Sequence, residues 1–345
     1  MSLYSEITEQ PTRIQQLLSS QKKTVEQIAA AIQKRDIQYV FLAARGTSDN
    51  AGRYANYLLG AMNGLPLALA TPSLFTYYKQ PPKLKNALVV GISQSGQSPD
   101  IVSVLEEGKR QNCLTLAITN EPNSPLAQRA DFLLDIHAGR EKAVAATKTY
   151  TTELMSIAML SAVLSGNKKH WEDLQKVADW MNEVLKQNEF IAQNAQRYRY
   201  MDQTIVLGRG FNYATAFEWA LKLKELAYVK AEPYSSADFQ HGPIAMVDNG
   251  FPVLAIAPKG MVFESMFRML KRLRKDFSAE LVVISNDKRA LALAQMPLTI
   301  PMDIPEWLSP LVSILPAQLF AYHLTLAKGY NTEQPRSIRK VTETK

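Results

Sequence analysis

A single cysteine, Cys113, in 345 residues excludes an internal disulfide framework, and four histidines leave no ligand set for a zinc cluster. No metal or cofactor is therefore expected. Long apolar runs are missing too: stretches such as 251–257 fall far short of the ~20 residues that cross a bilayer. The opening MSLYSEITEQPTRIQQLL has no apolar signal core and carries Glu and Gln early. Together these absences predict a cytoplasmic protein with no membrane partner. Nucleic-acid signatures are lacking as well. The net charge of +7 comes from Lys and Arg residues spread along the chain, which reads as a solvated basic surface and predicts no nucleic-acid partner.

What remains is an ordinary globular composition, 46% hydrophobic and 21% charged, long enough for two domains. Residues 5–35 show apolar positions Ile14, Leu17, Leu18, Val25, Ile28 and Ile32 at helical spacing. Short apolar runs follow at 39–43, 65–70, 87–92, 114–118 and 132–136, with helix-like segments between most of them, including 49–59 and 99–111. Strand–helix alternation of this kind predicts a parallel sheet covered on both faces. A helix over 149–164 closes that half. A second round has strands at 204–207, 252–257, 281–284 and 298–301 and an apolar helix over 311–327. The expected division is a helical segment over 1–34, a first domain over 35–166, a helical linker over 167–195 and a second domain over 196–345.

The halves also resemble each other. VFLAARGTSDNAGRYANYLL (40–59) aligns with IVLGRGFNYATAFEWALKLK (205–224), Arg45–Gly46 over Arg209–Gly210. Each copy reads as strand, glycine turn and helix, so duplication is the expectation. The second copy has exchanged the hydroxyls of Thr47 and Ser48 for Phe211 and Asn212, which predicts divided labour.

In the first half, Gly91-Ile-Ser-Gln-Ser-Gly-Gln-Ser98 follows the strand ALVV, and Pro99 suits the first position of a helix. Backbone N–H groups, the hydroxyls of Ser93, Ser95 and Ser98 and a helix N-terminus suit an anion. The alternative for such a loop is a plain helix cap. It lacks the Gly-Lys-Ser/Thr ending of a nucleotide loop, and Ser at position 95 spoils a GxSxG hydrolase elbow. In the second half, Glu218, Lys222 and Glu225 stand at i, i+4 and i+7 on a helix and share a face. That spacing also describes exposed ion pairs. His241, before Gly-Pro on a turn, adds an imidazole to a carboxylate–lysine set suited to acid–base work.

The stretch GRGFNYATAFEWALKLKELAYVKAEPYSSADFQHGPIAMVD, with RGTSDNAGRY, GISQSGQSPD, AVAATKTYTTEL, QPRSIRK and the opening EITEQP, resembles the sugar isomerase (SIS) family, in particular the isomerase half of glucosamine-6-phosphate synthase and its stand-alone relatives. The resemblance implies an α/β chain of two tandem SIS domains, each a flavodoxin-like parallel sheet flanked by helices. It implies a sugar-phosphate site made by Gly46, Thr47, Ser48, Ser93, Gln94, Ser95 and Ser98, with Val144 lining the same pocket. It makes Glu225 the group that shuttles a proton between C1 and C2, helped by Glu218 and Lys222. His241 would act in ring opening from the neighbouring subunit of a homodimer, and Lys340 would approach the open-chain carbonyl and form an imine. Three departures stand out: no residue matches a glutaminase nucleophile, Arg45 replaces a Cys, and Ala146 replaces a pocket Ser. With no ammonia source in the chain, release of an amino group from a sugar such as glucosamine-6-phosphate is the leading expectation. An ammonia-using or partner-fed synthase, a deglycase for sugar–amine adducts and a non-catalytic sugar-phosphate sensor are the alternatives.

Overall fold

The computed structural model describes residues 2–338 and residue 340. The chain folds as two compact units. One takes the chain up to Pro11, Lys142–Thr147 and Val177–Ile338; the other takes Thr12–Glu141, Lys148–Lys176 and Lys340.

In the unit of the first repeat, five strands form one parallel sheet: β1 (Tyr39–Ala43), β2 (Leu67–Leu69), β3 (Ala87–Ile92), β4 (Leu114–Thr119) and β5 (Phe132–Asp135), in the order β2-β1-β3-β4-β5. β3 and β4 are buried along their whole length, as continuous apolar strands between two helical layers must be. The helix Gly46–Asn63 follows β1, and Pro99–Arg110 follows β3. The helix Lys148–Ser165 is buried on nearly every side, which explains its lack of amphipathic pattern.

The other unit repeats the plan with β6 (Gln203–Gly208), β7 (Lys230–Ser235), β8 (Pro252–Ile256), β9 (Glu280–Ser285) and β10 (Met296–Thr299), in the order β10-β9-β8-β6-β7. Counted within the repeat, this is the same order, the flavodoxin-like 2-1-3-4-5 arrangement. The duplication extends to backbone detail. Arg45 and Arg209 are both extended, at φ −139° and −155°, and each is followed by a glycine at φ +54° or +60°.

Two elements lie outside the strands and helices expected from the sequence. β7 reads Lys-Ala-Glu-Pro-Tyr-Ser and carries two charges and a proline, composition a sheet tolerates at its edge, where β7 lies. The helix Phe263–Asp276 buries Phe263, Met266, Met269, Leu270 and Leu273 under a strongly basic outer face. The apolar segment Glu306–Ala327 corrects the expectation that no stretch suffices for a bilayer, since by length and composition it does. Its burial, 78% of the window, marks it as the core helix of its unit.

The short helix Leu3–Thr8 is anchored by a charge. Glu6 is fully buried and accepts the backbone N–H groups of Lys142 at 2.6 Å and Ala143 at 3.2 Å, holding the segment that carries Val144. Hydrogen bonds to a charged acceptor contribute about 1.5–3 kcal/mol each. Glu6→Ala is expected to lower the urea midpoint of unfolding, by a loss of at least ~1.5 kcal/mol, whereas Glu26→Ala, at an exposed position, leaves it within about 0.5 kcal/mol.

Candidate functional site

Ligands of doubly wound sheets bind beyond the strand carboxyl ends where the strand order reverses. In the first repeat that point lies between β1 and β3, and the loops leaving these two strands are Arg45-Gly-Thr-Ser48 and Ser93–Ser98. Both sequence motifs therefore flank one crevice. Arg45 ties the two together: its Nε donates to Asp100 at 2.7 Å, and Asp100 is fully buried in the first turn after Pro99.

The Ser93–Ser98 loop is held from beneath. The Gln94 carbonyl accepts from Asn120 N–H at 3.1 Å and from the Thr119 hydroxyl at 3.2 Å. Gly96 sits at φ +60°, and a Cβ there would stand 2.1 Å from Ser124 Oγ, so the turn requires glycine. Ser93 Oγ accepts from Gly96 N–H at 3.2 Å, and Ser95 Oγ accepts from Gln97 N–H at 3.3 Å. An accepting hydroxyl still has its proton to donate. Ser98 occupies the helix N-cap position yet makes no side-chain capping bond, contrary to the plain-cap alternative. Hydroxyl and amide donors at the N-terminus of a twelve-residue helix form an arrangement suited to a phosphate.

Gly46, Thr47 and Ser48 open the helix Gly46–Asn63. Ser48 is buried and gives its proton to Glu153 Oε1 at 2.8 Å. Glu153, 1% exposed, was not singled out in the sequence because its signal is tertiary: across 105 positions no pattern shows which hydroxyl it will meet. Nearby, burial raises the Asp49 carboxyl above its usual range, while Arg53 at 3.1 Å and Arg45 pull it down. In the second repeat the equivalent of Ser48, Asn212, is spent internally: its amide donates to Ser309 Oγ at 2.7 Å and its carbonyl accepts from Thr215.

Lys340 meets Glu141. Its Nζ lies 2.6 Å from Glu141 Oε2, and the Glu141 side chain is fully buried. Glu141 also accepts from the Thr149 hydroxyl at 2.8 Å and the Thr149 N–H at 3.2 Å. This carboxylate was absent from the sequence-derived set; AGREKAVAATK offers no periodicity that distinguishes it. Val144 belongs to the segment described with the other unit.

The acid–base set lies in the second repeat. Lys222 is 1% exposed and holds two carboxylates: Glu218 at 3.4 Å, itself fully buried, and Glu225 at 2.5 Å. These are not the exposed pairs the spacing also allowed. The helix Tyr213–Lys222 does not continue regularly either. Leu223–Ala227 is a π turn, ended by Tyr228 in the left-handed region at φ +55°. Such one-turn widenings gather at functional positions. Here the turn lets Glu225, 25% exposed, reach both solvent and the lysine. The chain's tail packs beside it: Arg336 N–H donates to Tyr228 Oη at 2.9 Å, and the Arg336 guanidinium lies 3.8 Å from the Tyr228 ring centroid. His241 ends the short helix Asp238–His241 and is exposed.

Two sheets of one strand order, one with the hydroxyl loops and the other with the buried ionic set, define a duplicated, doubly wound α/β protein whose copies have diverged. The SIS domain model matches residues 35–163 and 199–328, and the chain belongs to that family. It is 31% identical to a glutamine–fructose-6-phosphate aminotransferase (isomerizing) of Thermus thermophilus, over 98% of this chain and 58% of the relative. The chain thus spans under two thirds of that relative's length. The C-terminal domain of glucosamine-fructose-6-phosphate aminotransferase from Francisella tularensis superposes with a TM-score of 0.86 at 29% identity, covering 96% of this chain and 98% of that one. A glucosamine-6-phosphate deaminase from Thermotoga maritima shares the fold, with a TM-score of 0.80 at 20% identity over the full length of both chains.

Removing one partner of a buried ionic set costs about 3–5 kcal/mol, because the remaining charge is left in a poor solvent. Lys222→Met is expected to destabilise the protein by that amount in urea unfolding at neutral pH. Lys224→Met, on the exposed side of the same turn, changes stability by less than about 0.5 kcal/mol.

Proposed function

We propose that this chain is a sugar-phosphate aldose–ketose isomerase that releases the amino group of an amino-sugar phosphate such as glucosamine-6-phosphate, giving a ketose phosphate and ammonia. The observation that carries this reading is the buried Glu218–Lys222–Glu225 set, in which only Glu225 opens to solvent. Moving a proton from C2 to C1 of an open-chain sugar requires one base that lifts it and then delivers it. Glu225 has the freedom to do both, while Lys222 balances its charge and Glu218 fixes Lys222.

In this reading the hydroxyl and amide donors of Gly46–Ser48 and Ser93–Ser98 hold the phosphate. Proton transfer turns the 2-amino aldose into a C2 iminium. Lys340, kept in place by Glu141, adds to that carbon as the ammonia leaves, and water then releases the ketose and restores the lysine. The same proton shift run backwards incorporates ammonia, so both directions belong to one site. His241 assists ring opening and acts on the partner's substrate in a homodimer; its exposure in a single chain supports that assignment. A cytoplasmic location goes with a sugar-phosphate substrate.

The test measures free ammonia and ketose phosphate after incubation with several amino-sugar phosphates. Glu225→Gln keeps shape and hydrogen-bonding capacity but cannot take the proton. Its turnover is expected to fall at least ~100-fold, with binding retained and C2-hydrogen exchange in deuterated water abolished. Exchange at near the original rate would make Glu225 a salt-bridge residue only.

The homodimer is tested by mixing. A His241→Asn chain combined with a Glu225→Gln chain is expected to regain activity that neither parent has. Mixed dimers that stay inactive, although each parent folds and binds substrate, would place His241 outside the partner's site.

A further inference from the structure

The loop that leaves β8 repeats the geometry of the Ser93–Ser98 loop, and a carboxylate of the chain already sits on it. Strand register fixes the equivalence. Leu88 of β3 pairs with Leu114, the first residue of β4, and Pro252 of β8 pairs with Glu280, the first residue of β9. Gly96 then falls on Gly260, and Ser98 on Val262, each the last residue before a helix. The support from beneath is also kept. Ser285 Oγ donates to the Ala257 carbonyl at 2.6 Å, and Asn286 Oδ1 accepts the Lys259 N–H at 2.7 Å, where Thr119 and Asn120 hold Gln94 in the first repeat. Arg209 ties the crevice as Arg45 does, donating to Ser265 Oγ in the first turn of the helix Phe263–Asp276 at 2.7 Å.

The group on this second loop is Glu306. Its Oε2 accepts the Met261 N–H at 2.8 Å, and a Cβ on Gly260 would stand 2.1 Å from its Cδ and 2.3 Å from Oε2. The carboxylate therefore rests directly on the Gly260–Met261 backbone, an approach that only glycine permits. Glu306 belongs to the segment between β10 and the helix Ser309–Ala327. The matching segment of the first repeat, between β5 and the helix Lys148–Ser165, sends Glu141 into the cleft with Gln94 and Ser95. The serines of the first loop are gone: Ala257, Lys259 and Val262 stand in place of Ser93, Ser95 and Ser98. What remains for an anion is the backbone N–H, the exposed Lys259 and the positive end of a fourteen-residue helix that starts two residues after Met261.

We propose that Glu306 is the built-in occupant of a second anion cradle, a role independent of the isomerase reading above. Its carboxylate stands where an oxyanion of phosphate would sit and closes the second repeat to phosphorylated ligands. Beneath it lies a latent site for a phosphate-class anion, exposed when the carboxylate is removed. A tethered group competes at an effective concentration of about millimolar order, so a free anion that binds weakly does not displace it. Loss of the serine hydroxyls weakens the cradle for an external phosphate, while one amide and a helix end suffice for a carboxylate that the fold already holds in place.

The experiment titrates inorganic phosphate into the full chain at constant ionic strength and counts sites by calorimetry. Glu306→Ala is expected to bind one more phosphate per chain than the unaltered protein. Glu306→Gln gains none, because its amide oxygen still accepts the Met261 N–H. Amide hydrogen exchange locates the gain: Met261 exchanges at least about 10-fold faster in Glu306→Ala, and phosphate restores its protection. Glu306→Ser, equally short but polar, gives the same reading should the alanine chain fail to fold. In the unaltered protein, phosphate leaves the protection of residues 257–262 unchanged. An unaltered number of sites in the folded short variants, or a gain that leaves exchange at Met261 untouched, overturns the proposal. So does a phosphate-dependent change over 257–262 in the unaltered protein. Only the increment is read, so failure of the phosphate site in the first repeat lowers every count equally and remains distinguishable from failure here.

Discussion

A lysine ammonium held between two carboxylates, with almost no water, is the constraint around which the second repeat is arranged. Desolvating Lys222 and Glu218 costs several kcal/mol per ion, and the cost is met only when geometry is good on both sides of Lys222. The surroundings supply that rigidity. Trp219, one residue after Glu218, is fully buried and meets Phe320 edge-on at 5.7 Å, and Phe320 in turn meets Tyr198 at 5.5 Å. The widened turn over Leu223–Ala227 is the local adjustment that keeps Glu225 on the lysine without burying it. One carboxylate is thereby fixed and the other left accessible.

The first repeat places its polar groups differently. Its crevice lies where β1 and β3 send their loops apart, and the Arg45–Asp100 pair locks one loop to the other. Donors gather there at helix starts, while buried acids stand behind them: Glu153 under Ser48, Glu141 under Lys340. These acids orient hydroxyls and an ammonium and carry no pattern of their own. The copy in the second repeat kept the fold but carries Phe211 and Asn212 where the first has Thr47 and Ser48, and Asn212 is bonded to Ser309. Duplication preserved the sheet order because every strand depends on its neighbours. It released the loops because no sheet contact depends on them.

Much of this was legible before any coordinates. Nine of the ten strands coincide with apolar runs, and β3 and β4, buried along their whole length, are continuously apolar as a strand buried on both faces must be. β7 was hidden because its sequence, Lys-Ala-Glu-Pro-Tyr-Ser, carries two charges and a proline in place of an apolar run, which an edge position allows. The helix periodicity placed Glu218, Lys222 and Glu225 near one another, but it could not distinguish a buried set from an exposed one. Burial depends on what packs over a face, and the helix Ser309–Ala327, far away in sequence, is what packs there.

The order of strands and loops, the duplication, the glycine turns and the residue types of the candidate site were determined by the sequence itself, because each rests on interactions among residues close along the chain. The partners of the charged groups were decided only by the tertiary structure. Glu6 with the backbone of Lys142, Arg45 with Asp100, Ser48 with Glu153 and Glu141 with Lys340 are separated by 55 to 199 positions. A charge finds such a partner only when folding has removed the water that would otherwise solvate it, and which groups lose their water together is a property of the packed sheets and helices.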